Sequence, residues 1–150
     1  MKVISKLLMF TLVLSVFAGC KKEDENLPLK DVAGTYVGTL NVSIEENPIE
    51  NVSIVVNYNS GNTASIRIPN GSISAVPVDI DATCNITSDK SKYSLSGTAS
   101  ISIPQMGELS VTIANDSYID KSGKAFFNMT AEGLGMSMAI TIEFNGQKRN

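Results

Sequence analysis

Few side chains in this chain are equipped for chemistry, and their placement narrows the choice further. There is no histidine, which removes the usual general base and the commonest metal ligand. Cys84 falls in phase with Val78, Ile80, Ala82 and Ile86, the pattern of a small buried hydrophobe. No positive charge lies near it in sequence to activate its thiol, and one such thiol without histidine cannot build a zinc site. Asp79 and Asp81 share one face of a strand-like segment, where two carboxylates could serve calcium or acid–base work. That face also holds Thr83, Asn85 and Thr87, so it reads as a solvated outer surface on which paired acids are ordinary. No glycine-rich phosphate loop, nucleophile elbow or paired-acid motif is present. These residues predict no enzyme, no metal and no cofactor.

The other cysteine, Cys20, stands in a different setting. Residues 1–19 carry Lys2 and Lys6, an apolar run from Leu7 to Val16 broken only by Thr11 and Ser15, and then Phe17-Ala18-Gly19. A basic start, a hydrophobic stretch of about 10 residues and small residues before the cut mark a secretory signal peptide. A membrane span would need roughly 20 apolar residues, and the charges beginning at Lys21 come too early for one. Small residues directly before a cysteine resemble the lipobox of bacterial lipoproteins. The resemblance implies that Cys20 becomes the first residue and carries diacylglycerol and an N-linked acyl chain. At about 0.8 kcal/mol per buried methylene, several chains make a durable membrane anchor. A disulfide within the chain is then excluded. Lys21-Lys22-Glu23-Asp24-Glu25-Asn26 has nothing to bury and reads as an extended tether. Cysteine, lysines and then acids also resemble the export signal that sends lipoproteins of Bacteroidota-type bacteria to the outer face of the outer membrane. Cell-surface display is expected, with a periplasm-facing anchor as the alternative.

The elements that must carry these residues are strands. A chain of 150 residues is read as one domain. With Lys+Arg at 12 against Asp+Glu at 15, and no basic cluster in the folded part, neither nucleic acid nor another anionic partner is expected. From Gly34 to Ile44, Tyr36, Leu40, Val42 and Ile44 alternate with Thr35, Thr39, Asn41 and Ser43, the period of two of a half-buried strand. The same alternation returns at Val52–Tyr58, Ala64–Ile68, Val78–Thr87, Tyr93–Ile103, from Leu109, at Ala125–Ala131 and at Met136–Phe144. Past Ala114 the phase fails, placing Asn115 and Ser117 inward unless the strand carries a bulge. Phe126 and Phe127 are adjacent, and Phe127 is the one in phase with the inner face.

Strand-like segments joined by short turns pair antiparallel. Closing them hides the apolar face and both edges. The expected fold is therefore all-β, an eight-stranded antiparallel up-and-down barrel, with a two-sheet sandwich as the alternative. A membrane-spanning barrel would carry the same alternation, but Trp 0, Phe 5 and Tyr 4 supply too few rings for two aromatic girdles. The expected boundaries are 1–19 signal peptide, 20–31 lipidated cysteine and tether, 32–146 barrel and 147–150 polar tail.

Val32-Ala33-Gly34-Thr35-Tyr36-Val37-Gly38-Thr39-Leu40 resembles the opening of the calycin-like, lipocalin-related β-barrel lipoproteins of Bacteroidota. Ile103-Pro104-Gln105-Met106-Gly107-Glu108 is similar to a turn that recurs in that group. The resemblance implies an eight-stranded barrel on an outer-membrane lipoprotein. In lipocalins a Gly-x-Trp motif plugs the closed end; Gly34-Thr35-Tyr36 would take that place here, without the Trp.

An eight-stranded barrel is just wide enough to be filled or to hold one small ligand. Gly38, Ala64, Ala82, Gly97, Ala99 and Ala131 are small inward positions that could leave a cavity. Tyr36, Tyr58, Tyr93, Phe127, Met129, Met136, Met138 and Phe144 could line it for a small apolar ligand. The alternative is that large and small residues interleave to fill the taper. The protein would then be a non-enzymatic surface lipoprotein acting through loops such as Ser72–Pro77 or Asn115–Asp120.

Overall fold

The computed structural model describes residues 26–69 and 79–150. The expected signal peptide, Cys20, most of the tether, the Ser72–Pro77 connection and Val78 lie outside them. The strands are β1 (Gly34–Val42), β2 (Ile49–Ser60), β3 (Thr63–Ile68), β4 (Ile80–Ser88) and β5 (Lys92–Ile103). They continue as β6 (Gly107–Ile113), β7 (Tyr118–Asp120), β8 (Lys124–Gly133) and β9 (Ile140–Lys148). All pairing is antiparallel between neighbours, and β9 returns to β1 from Tyr36–Lys148 to Val42–Ile142. β6 and β7 lie end to end between β5 and β8 and share one place in the wall. The result is a closed, eight-stranded, up-and-down barrel.

Register fixes two ends. The near end carries the N-terminal lead, the β2–β3, β4–β5 and β7–β8 turns and the C-terminus; the far end carries the β1–β2, β5–β6 and β8–β9 connections. The alternation read from the sequence decides the faces. Inward Leu40, Ile54, Ile66, Ile86, Leu95, Leu109 and Val111 are wholly buried, each contributing about 1.5–3 kcal/mol of apolar burial. Outward Asp81, Thr83, Asn85 and Thr87 of β4 are exposed.

Where the structure departs from the period, local causes are visible. β1 ends at Val42, so Ile44 leaves the inner face and is 47% exposed in a turn. The phase failure after Ala114 is a break rather than a bulge. β6 stops, Ser117 is buried, and its hydroxyl donates to the Asn128 carbonyl at 3.2 Å while accepting from the Asn128 amide at 3.0 Å. One serine thereby replaces a ladder pair, and Ile119 of β7 takes the inner face. The even alternation of β5 is not evenly buried: β4 pairs with it only between Asn85–Ser96 and Ser88–Tyr93, and beyond Gly97 Ala99 and Ile101 are only half-buried.

The last inner face also starts later than its pattern. β9 begins at Ile140, leaving Met136 half-buried and Met138 74% exposed in the β8–β9 connection, where Gly133 and Gly135 at positive φ turn the chain away. At its other end β9 runs to Lys148, beyond the expected boundary at 146. The lead is packed as well. Leu29–Val32 forms a 3-10 turn with Pro28 at its N-cap and Val32 wholly buried, so the barrel unit reaches back to Leu27.

Gly38 faces Gly146 where β1 closes on β9. A Cβ on Gly38 would overlap the Asn145 carbonyl and the Gly146 Cα, and one on Gly146 would strike the Phe144 ring. Gly38→Ala is therefore expected to destabilise the barrel by about 3 kcal/mol or more. Urea denaturation checks this, and an unchanged midpoint would refute it.

Candidate functional site

The barrel interior is the place where the inner-face candidates converge. Phe127 stacks on Phe144 with centroids 5.7 Å apart and meets Tyr36 edge-on at 6.3 Å, both favourable ring geometries. Tyr36, Phe127, Phe144 and Met129 have no accessible surface, and neither do the small inward residues Ala64, Ala82 and Ala131. Phe127, Phe144, Met129 and the three alanines line none of the hollows described below, so at their level large and small side chains interleave. The small positions are occupied by their neighbours' bulk.

The remaining candidates lie elsewhere. Tyr58 is half-buried at the near end, where its hydroxyl donates to the Gly61 carbonyl at 3.0 Å and braces the β2–β3 turn. Met136 and Met138 belong to the far-end connection, outside the strand the alternation assigned them to. Tyr93 is inward and nearly buried, but its hydroxyl reaches out of the near end to the Pro28 carbonyl at 3.1 Å.

Tyr36 does likewise, donating to the Val32 carbonyl at 2.6 Å. Burial pushes its phenol far above the ordinary value, with Tyr93 adding to the rise; burial also raises Tyr93, with Asp31 adding. Both phenols therefore stay protonated donors through the neutral range. Lys148 Nζ lies 6.0 Å from the Tyr36 ring centre and donates to the Asp31 carbonyl at 2.8 Å. Gly34-Thr35-Tyr36 thus sits at the near end, where Tyr36 holds the 3-10 turn of the lead. Beside that turn is a hollow of about 450 Å3 lined by Tyr36, Tyr93, Lys121, Gln147 and Lys148.

The two near-end turns repeat one device. Asp89 Oδ1 accepts from the Ser91 hydroxyl, the Ser91 amide and the Lys92 amide. Asp120 Oδ1 accepts from the Ser122 hydroxyl, the Ser122 amide and the Lys124 amide. The serine hydroxyl above all, with the amides, holds both carboxyls below the usual carboxylate range; desolvation opposes this, and at Asp120 it outweighs either amide. Asp-Lys-Ser at 89–91 and again at 120–122 was legible as two turns, but not as one rim.

The other singled-out groups fit structural roles. Asp79 binds Arg67 in an exposed ion pair, whose hydrogen bond and charge raise the guanidinium above its ordinary value. Cys84 is buried with its thiol 3.5 Å from the Ala64 carbonyl, and burial pushes it up to about 11. Among the described residues no group of three or more acidic or cysteine side chains is arranged to hold a metal ion. Where β4 and β5 part, a groove of about 420 Å3 opens beside Asp81, Thr83, Thr98 and Ser100. No family model matches the chain, and no curated protein matches it in sequence.

A thiol with that pKa is almost wholly protonated at pH 8. Cys84 is therefore expected to react with a thiol reagent at least about a hundred-fold more slowly than free cysteine until the protein unfolds. A native rate within ten-fold of free cysteine would contradict this. For the turn carboxyls, a depressed folded pKa gives stability that is complete above about pH 4 and lost as pH falls through the folded value. Asp120→Asn keeps the Oδ1 acceptor without the titration, so its urea midpoint should fall less steeply below pH 4 than the parent's. Coincident acid limbs would refute the role.

Proposed function

We propose that this protein is a lipid-anchored, calycin-like barrel whose filled core serves as a rigid stand, and that it works through the loops of its far end. The observation that carries this reading is the lack of accessible surface on Tyr36, Phe127, Met129 and Phe144. These side chains have no free face to offer a ligand. The remaining exposed surface puts its large apolar side chains at one end: Ile44, Met106 and Met138 are 47%, 48% and 74% exposed, all in far-end connections. Glu45, Glu46, Glu108 and Glu132 lie beside them. Exposed apolar side chains within a charged surround suit a protein partner.

The anchor is argued from Cys20 and the residues before it. The lead supports it, because the chain enters the barrel at the near end and so points the far-end loops away from a membrane that holds Cys20. An outer-membrane, outward-facing anchor fits this arrangement best. A small apolar ligand inside the barrel would require the Tyr36–Phe127–Phe144 stack to part.

The test uses the full chain in a lipoprotein-processing bacterium. The mature protein is expected in the membrane fraction with a diacylglyceryl and acyl mass on Cys20, and Cys20→Ser is expected to abolish that mass. A photo-crosslinking residue at Met138 is expected to give a discrete adduct on intact cells, while one at Asn57 gives none. No adduct at Met138, together with saturable binding of an apolar dye that an inner-face variant weakens, would overturn the reading in favour of an interior ligand.

A further inference from the structure

We infer that the near rim of the barrel is a docking face for an anionic bilayer surface. Every basic residue among the described residues except Arg67 lies there. Lys90 and Lys92 stand at the β4–β5 turn, Lys121 and Lys124 at the β7–β8 turn, and Lys148 and Arg149 end β9; all but Lys148 are exposed. Lys30 adds a further exposed charge from the lead. Register sets the turns side by side: Lys92 opposes Asp120, Lys124 opposes Gln147, and the Lys121 amide donates to the Ser91 carbonyl at 2.9 Å. Three acids share the rim, Asp31, Asp89 and Asp120, fewer than half the number of basic groups. The far end carries the opposite sign, with Glu45, Glu46, Glu50, Glu108 and Glu132, and Arg67 there is paired with Asp79.

A bilayer partner departs from the expectation of no anionic partner, for a reason in the topology. Lysines scattered from residue 30 to residue 149 form no cluster in sequence, and the up-and-down topology brings alternate turns to one rim. A molecule so polarised has a preferred orientation on a negative surface. The path of the chain puts the positive end against that surface. Leu27 is fixed to the rim, its amide donating to the Asp89 carbonyl at 3.0 Å and its carbonyl accepting from the Ser88 hydroxyl at 2.7 Å. From Cys20 to Asn26 the chain can reach at most about 20 Å. An acyl anchor on Cys20 therefore holds the rim within a few screening lengths of the headgroups. The hollow beside Tyr93 leaves room for a headgroup between Lys121 and Lys148. This distance estimate rests on the anchored reading, whereas the charge asymmetry does not.

The test therefore removes the lipid. The chain from Lys21 onward holds every strand and the whole described core, and is mixed with vesicles of phosphatidylcholine alone or with phosphatidylglycerol. Sedimentation at low salt is expected to show binding only to the anionic vesicles. At about five-fold per lysine, Lys121→Glu with Lys124→Glu should weaken partitioning at least about twenty-five-fold, while Arg67→Gln at the far end leaves it unchanged. Both variants are exposed positions, and an unaltered circular dichroism spectrum confirms their fold. Equal binding to neutral vesicles, no binding to anionic ones, or full binding by the Lys121/Lys124 variant would overturn the inference. Displacement by inorganic phosphate beyond that by chloride at equal ionic strength would also overturn it, replacing a surface with a discrete phosphate site. Failure here leaves the acylation of Cys20 untouched, since that is read from the mass of the anchored protein.

Discussion

Closure of β9 on β1 is the contact that the rest of the molecule depends on. An open sheet with this inner face would leave a row of apolar side chains in water and two unpaired edges. The closing ladder passes through Gly38 and Gly146, which face each other. With no Cβ on either, the two backbones approach closely, and the Phe144 ring covers the inner side of the pair. The same ring stacks on Phe127, which meets Tyr36, whose hydroxyl donates to the Val32 carbonyl of the 3-10 turn. A single line of contacts therefore runs from the seam of the barrel through its axis to the 3-10 turn at its near end.

That line also decides what the interior can do. Glycine and alanine on an inner face are consistent with either a cavity or close packing, and side chains of complementary bulk have resolved the choice toward packing here. With those side chains packed along the axis, the two rims are where the molecule's surfaces differ. The far rim is acidic and exposes Ile44, Met106 and Met138; the near rim is basic and receives the N-terminal chain. Between them the wall is irregular at the Ser117 break, at the parting of β4 from β5, and at the register shifts between Gly38 and Leu40 and between Tyr58 and Ser60.

The period of two was enough to read the strands, their inner faces and the choice of Phe127 over Phe126, because burial on one side of a sheet imposes that period directly. It was less reliable at strand ends. Ile44, Met136 and Met138 continue the pattern in sequence, yet the chain has already turned away, and an alternation has no means of marking where its partner strand stops. Ala99 and Ile101 alternate correctly but lie beside a seam, so their burial depends on a neighbour that their own segment does not encode. The tyrosines were found as inner-face residues, and their role as clamps on the lead was not, since it requires knowing that residues 27–32 cross the near end.

Sequence by itself therefore determined the all-β class and the lack of any histidine-based chemistry, because composition and alternation are properties of each segment alone, while barrel over sandwich was settled only by the β9–β1 ladder. Whether the interior is full, which turns share a rim, and that lysines far apart in the chain face one way are relations between segments. Those were decided only when the ladder closed and fixed every strand's height relative to the others.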